Sequence, residues 1–225
     1  MQKARKKNKN IFRAIKRQYN KGVRNLIHRK GHGVHSPYVF NFIIRVIEEK
    51  ARYYAYDQIE EEYKQLKAEA KNGISPKPQT LKYYKLLYRI LNRIKPESVL
   101  ECGSDCGLVE IILKLINPEL KTTRVESSNY NTAIPDYYVS NSLPDLIYIH
   151  NQTDEGYKSI YKLLSPKINE ISVIIVSGIR STKHSYANFV EFASNNTIRI
   201  TIDLYDIAIL VASPKLNKQT FKIGF

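Results

Sequence analysis

Apolar residues recur along this chain in two periods, and the change falls near residue 98. Before it the spacing is three to four. Ile11, Phe12, Ile15, Tyr19, Val23, Leu26 and Ile27 form one such stripe, with Arg13, Lys16, Arg17, Lys21 and Arg24 between them. That pattern predicts a basic amphipathic helix. Gly31, Gly33 and Pro37 mark a loop in "RKGHGVHSPYVF", and Ser36 before Pro37 predicts a capped helix start running to about Tyr54. "YDQIEEEYKQLKAEAKNG" reads as a second helix closed by Asn72-Gly73, and "SPKPQT" as a linker. "LKYYKLLYRILNRI" reads as a third, with a stripe at Leu81, Tyr84, Leu87, Tyr88 and Leu91, ended by Pro96.

From Ser98 short β-rich runs alternate with helical ones. The strand-like runs are "SVLEC", "TTRVES", "LIYIHN", "SVIIVSG", "IRITIDLY" and "IAILVAS", and helical patterns sit near 107–117, 154–164 and 182–195. This alternation predicts an α/β fold with a doubly wound, mostly parallel sheet. The last pair is joined only by a tight turn at Tyr205-Asp206, too short for a parallel crossover, so an antiparallel hairpin at the sheet edge is expected there. "FKIGF" adds a candidate last strand. The divisions are 1–30, a basic arm and helix; 31–80, a helical extension; and 81–225, the α/β domain.

Composition narrows the class. A chain of 225 residues, 43% hydrophobic and 25% charged, has an ordinary globular make-up. Its apolar runs fall far short of the roughly 20 residues that span a bilayer, and no secretory leader pattern is visible. The two cysteines, Cys102 and Cys106, lie in one loop, which argues against a disulfide framework and for a reducing cytoplasm. They read as small apolar packing residues. The net charge of +15 is uneven: residues 1–30 hold twelve Lys and Arg and no acid, whereas residues 31–225 carry 24 basic against 21 acidic residues. The arm admits three readings: non-specific contact with nucleic-acid phosphates, contact with an anionic membrane surface, or a tail whose helix packs on the domain. The third is favoured for residues 11–27, and residues 1–9 stay open.

The candidate chemistry is in "VLECGSDCG". A strand runs into Glu101, two glycines follow at Gly103 and Gly107, a helical pattern begins, and Glu126 ends the next strand 25 residues after Glu101. Such a turn lets a backbone approach a nucleotide-type ligand, and an acid at the second strand end can accept ribose hydroxyls. The same residues also fit a plain βα turn with a solvated surface acid. Nicotinamide enzymes and methyltransferases share these parts; the C-terminal antiparallel hairpin resembles the class I methyltransferase sheet more than a dehydrogenase.

Three blocks carry a resemblance. "GHGVHSPYVFNF", "VLECGSDCGLVEIIL" and "SVIIVSGIRSTKHSYANF" with "RITIDLYDIAILVASPKLNKQTFKIGF" resemble a class I S-adenosylmethionine-dependent methyltransferase-like group typical of Bacteroidetes. The likeness runs from about residue 28 to the end, with a gap in the middle. It implies S-adenosylmethionine as cofactor. Glu101 would face its methionine amino group through water, Glu126 would hold its ribose, and Gly103, Ser104 (the family's threonine) and Gly107 would form the loop. Methyl transfer to a small-molecule hydroxyl or carboxyl is then the expected activity. Departures from the family are clear. His150 and Ser177-Gly178 stand where strand-end acids are usual, and the stretch between Glu126 and Leu146 has room for at most a turn and a short strand. Without those acids a hard cation lacks its preferred ligands, so metal-independent transfer is expected. His150 is a candidate general base, or a strand-end histidine bonded to a neighbouring loop. His28, His32 and His35 are read as structural rather than metal-binding. The alternative function is a catalytically degenerate member that acts as a binding or scaffold module through its basic arm.

Overall fold

The computed structural model describes residues 15–24, 34, 36–126, 128–140, 143–168 and 173–225. Residues 15–24 are helical (α1). Helix α2 spans Pro37–Phe42 and continues as a π turn over Ile43–Ile47, α3 spans Tyr56–Lys71 and α4 spans Leu81–Ile94. The alternating region follows as β1 Ser98–Cys102, α5 Leu108–Ile116, β2 Lys121–Val125, α6 Tyr130–Ser140, β3 Leu146–Ile149, α7 Asp154–Leu164, β4 Val173–Ser177, α8 Lys183–Ala193, β5 Ile198–Asp203, β6 Ile207–Ala212 and β7 Gln219–Lys222.

The helix ends obey local chemistry. Ser36 accepts from the Val39 N–H with Pro37 at the first position, and Thr80 accepts from Tyr83 N–H at the start of α4. Helix α2 does not reach Tyr54: past Ile47, Glu48 turns out of helical geometry, and Glu49 accepts from the N–H groups of Lys50 and Ala51 at 2.7 Å each. Buried Arg89 of α4 secures that end, donating to the carbonyls of Val46 and Ile47 at 2.6 and 3.1 Å and to the Tyr56 hydroxyl at 2.9 Å.

The strands form one seven-stranded sheet in the order β2-β1-β3-β4-β6-β5-β7. β6 alone runs antiparallel to its neighbours, β4 and β5. The C-terminal hairpin is therefore inserted in the sheet rather than at its edge; β7, parallel to β5, forms that edge. Side chains alternate between two covered faces. Val99, Leu146, Tyr148, Ile175 and Ile209 pack under α2 to α5, while Leu100, Ile147, Ile174, Val176 and Leu210 pack under α6 to α8. α4 is buried almost all round, which explains why Leu86 and Ile90 are sealed together with the expected stripe.

Between β2 and β3 stands an 11-residue helix, α6, not a turn and short strand. Pro135 lies inside it and forfeits a backbone bond. Burial of Tyr130, Ile134 and Tyr137 against the sheet offsets that cost. Among the described residues no strand pairs with the outer side of β2, and Lys121, Thr122, Thr123 and Arg124 are exposed.

The arm helix docks by charge. Arg17 and Lys21 pair with Asp206, and Arg24 binds Asp203 at 2.9 Å. Arg180, which follows β4, holds the same Asp203 at 2.5 and 2.8 Å. The Tyr205 ring lies beneath the cations of Lys21, Arg24 and Arg180 at 5.6, 5.3 and 4.9 Å. The face turned to the domain is thus the basic one, and Ile15 and Tyr19 remain 62% and 70% exposed, because two acids at the hairpin turn attract the cations. Among the described residues no helix is long and apolar enough to cross a membrane.

Burial raises the Asp203 carboxyl pKa, but hydrogen bonds and charge from Arg180 and Arg24 outweigh it and hold it at about 2. A depressed acid contributes stability above its unfolded value near 3.8, and that contribution drains away as pH falls toward 2. Urea denaturation between pH 5 and pH 2 should show the wild type losing about 2 kcal/mol more than Asp203→Asn. Parallel acid slopes for the two proteins would refute the cluster.

Candidate functional site

The carboxyl ends of β1, β2 and β3 lie side by side because these strands pair in parallel, Cys102 opposite Val125 and Ile149. At that edge β1 breaks into the glycine turn. Gly103 takes φ +85° and donates its N–H to the Val125 carbonyl at 2.7 Å, tying the turn to β2. Gly107 takes φ +93° as the residue that opens α5. Both values are strained for any side chain, so both glycines are required by backbone geometry.

Asp105, between them, is bound into the turn. Its Oδ1 accepts the Gly107 N–H at 2.8 Å and its Oδ2 accepts the Tyr84 hydroxyl of α4 at 3.2 Å. It shapes the loop as an Asx turn does. Ser104 reaches across to the end of β2, donating to Glu126 Oε2 at 3.4 Å, and both residues are exposed. Gly103, Ser104, Gly107 and Glu126 therefore lie at one edge, where Ser104 and Glu126 face solvent, Gly107 is half-buried and Gly103 is buried. Cys102, beneath them, is fully buried, and burial pushes its thiol up to about 12. Burial likewise raises the Cys106 thiol, which contacts the Tyr84 hydroxyl at 3.4 Å.

Glu101 and His150 fall elsewhere. Their side chains sit on the sheet face covered by α4 and α5, 0% and 2% exposed. Glu101 Oε1 is 2.6 Å from His150 Nε2, and Glu101 Oε2 accepts from Arg124 Nε at 2.9 Å. The His150 ring packs edge-on against Tyr148 at 4.7 Å, and the Tyr148 hydroxyl meets that of Tyr83 from α4. Both oxygens of Glu101 are thus engaged inside the protein, where a ligand amino group was expected. His150 likewise commits Nε2 to a sealed carboxylate rather than to an approaching acceptor. The strand-end histidine bonded to its surroundings is the arrangement found.

Beside this row, under α5, lies a cavity of about 360 Å³ lined by Glu101, Glu110, Lys114, Thr122 and Arg124 and by apolar side chains. Its charges answer one another: Lys114 binds Glu110 at 2.8 Å, and Arg124 binds Glu110 at 3.3 Å as well as Glu101. At the ends of β3 and β4, Asn151 accepts from Tyr157 and Ser181 at 3.3 and 2.5 Å, and Ser177 offers its carbonyl to Tyr157. Among the described residues no three His, Cys, Asp or Glu side chains gather as metal ligands would. His28, His32 and His35 lie outside the described residues.

Three participants escaped the sequence reading: Arg124, Tyr130 and Gln152. Arg124 was detectable in principle, since it is directly opposite Glu101 in the β1–β2 register. Tyr130 and Gln152 converge on the glycine turn from α6 and from the loop after β3, and no spacing in the chain announces that.

Replacing Glu101 with Ala leaves the Arg124 guanidinium and the His150 ring without their buried partner. Chemical denaturation should register a loss of about 3 kcal/mol. A loss under about 1 kcal/mol would show that the row contributes little.

No protein-family model matches the chain, and no curated protein matches it in sequence. Solved structures do match in shape. A caffeoyl-CoA O-methyltransferase candidate from Staphylococcus aureus superposes with TM-score 0.53 at 14% identity, covering 71% of this chain and 98% of that one. The cofactor-bound protein Rv0187 from MTB gives 0.51 at 14% identity, with 66% and 88% covered. The SAH-bound Podospora anserina methyltransferase PaMTH1 gives 0.50 at 10% identity, with 80% and 97% covered. Identities this low speak to architecture alone. With the mostly parallel sheet and its inserted antiparallel strand, they establish that the chain has the class I methyltransferase-like fold.

Proposed function

We propose that the chain binds S-adenosylmethionine at the carboxyl edge of β1 and β2 and directs its methyl group to a small-molecule acceptor without a metal ion. The observation that carries this reading is the meeting of Gly103, Ser104 and Glu126: a positive-φ turn beside a serine and a carboxylate that face solvent together. The residues fit the cofactor. Glu126 has open acceptor capacity for ribose hydroxyls, and the glycine backbone permits close approach. The buried Tyr130 hydroxyl over Gly103 lacks a partner of its own, which also favours a polar ligand there.

The bound sulfonium supplies an already activated methyl group. What remains for the protein is to hold donor and acceptor in line and to exclude water. Metal assistance is disfavoured by donor chemistry, because His150, Asn151, Ser177 and Gly178 bring no carboxylate pair to the ends of β3 and β4.

One observation favours a second reading, a member of the fold that binds without turning over. Glu101 and His150 are spent on each other and on Arg124, so neither offers an acid–base group at the open edge. The acceptor of the first reading would then need a nucleophile that ionises unaided.

Calorimetric titration with S-adenosylmethionine tests the cofactor site. Glu126→Ala should weaken binding at least about tenfold, the loss of one or two charge-assisted hydrogen bonds. Binding unaffected by that substitution would remove Glu126 from the site. A wild-type protein that binds tightly, yet labels no acceptor from a crude metabolite extract with the methyl group, would favour the second reading.

A further inference from the structure

Two side chains converge on the glycine turn from outside it. A Cβ built on Gly103 would lie 2.1 Å from Gln152 Nε2 and 3.1 Å from the Tyr130 hydroxyl. The φ of +85° already demands glycine there, and the flexible end of Gln152 occupies the space that a Cβ would take. Gly156, in the first turn of α7, serves the same side chain: a Cβ there would stand 3.2 Å from both Cβ and Oε1 of Gln152. Glycine inside a helix costs about 1 kcal/mol relative to alanine. Two glycines of separate elements thus frame one half-buried amide, which occupies the space above the turn where a ligand would meet the backbone.

Tyr130 supplies the second observation. The residue is 3% exposed, and its hydroxyl is buried with no hydrogen-bond partner. An unsatisfied buried donor costs about 1–3 kcal/mol; of the four such tyrosine hydroxyls among the described residues, Tyr88, Tyr130, Tyr138 and Tyr161, that of Tyr130 lies at the glycine turn. Burial first, then the charges of Cys102 and Glu126, raise its pKa above the usual tyrosine value, so the group remains a proton donor. It is aimed at the turn beside Glu126, which stands four residues before it in the chain.

We propose that the Tyr130 hydroxyl is a donor to the ligand at this turn, and that the Gln152 amide is a placeholder that fills the site until the ligand displaces it. The proposal rests on the cofactor reading above and adds two residues to it. Its ligand class is the ribose and amino-acid part of S-adenosylmethionine or S-adenosylhomocysteine, which is rich in acceptor oxygens. Gln152 reaches the turn through its flexible end, so its release needs side-chain rotation only. The closed rotamer lowers apparent affinity by the fraction of time the site is open.

Full-length wild type, Gln152→Ala, Gln152→Asn and Tyr130→Phe should be titrated calorimetrically with S-adenosylhomocysteine, with ligand-free melting temperatures recorded for each. Gln152→Ala should bind about threefold or more tightly than wild type, with Gln152→Asn between them. Tyr130→Phe should bind about fivefold more weakly, the worth of one hydrogen bond. Its ligand-free melting temperature should equal or exceed that of wild type, because an unpaired buried hydroxyl has been removed; a merely structural tyrosine would lower it. Equal affinity in all four proteins leaves the cofactor reading standing and overturns this one. Absence of binding in every protein at millimolar ligand overturns both.

Discussion

A carboxylate with no exposure to water, Glu101, sits near the carboxyl end of β1 on the sheet face under α4 and α5, and two neighbouring strands supply its partners. An unpaired charge in that position would cost several kcal/mol. It is answered by Arg124 from β2 on one side and His150 from the end of β3 on the other. Those contacts link three parallel strands whose carboxyl ends lie side by side, and the glycine turn leaves the first of them. The polar row lies on the sheet face covered by α4 and α5, whereas Ser104 and Glu126 meet at the exposed edge above it.

A second carboxylate organises the opposite half of the sheet in the same way. Asp203, 2% exposed at the end of β5, draws Arg180 from the loop after β4 and Arg24 from the arm helix. With Asp206 beside it, the hairpin turn becomes an acidic dock on a protein of net charge +15. The arm helix turns its cations inward for that reason and leaves Ile15 and Tyr19 in water. Ion pairs at the surface are usually worth little. This pair differs because Asp203 is desolvated, so its partners are hydrogen-bonded to a group that has no alternative in solvent.

Both clusters bear on the proposed chemistry. The open edge offers hydrogen-bonding groups suited to a cofactor, and the acids and imidazole that a catalytic reading would recruit are consumed in holding strands together. A site of this kind is better suited to binding and alignment than to proton transfer. The two glycines that accommodate Gln152, and the Tyr130 hydroxyl left without a partner, belong to that same economy of positioning.

The periods of apolar residues were enough to place the strands and helices from Ser98 onward within a few residues, and the tight turn at Tyr205-Asp206 was enough to predict an antiparallel pair, because backbone periodicity and turn length are local properties. The turn opened by Gly103 and Gly107 between a strand and a helix was legible for the same reason. Local signals misjudged the stretch between Glu126 and Leu146, which was given room for no more than a turn and a short strand but holds α6 with Tyr130, Ile134 and Tyr137 buried, and α2, which leaves helical geometry at Glu48 rather than near Tyr54. They were silent on which way a polar side chain would point. Glu101 and Glu126 each end a strand in the chain, yet one is sealed against Arg124 and His150 and the other faces solvent beside Ser104. That difference arises from strand register and from the helices laid over each face. Both are non-local, so they exist only once residues far apart in the chain have packed together.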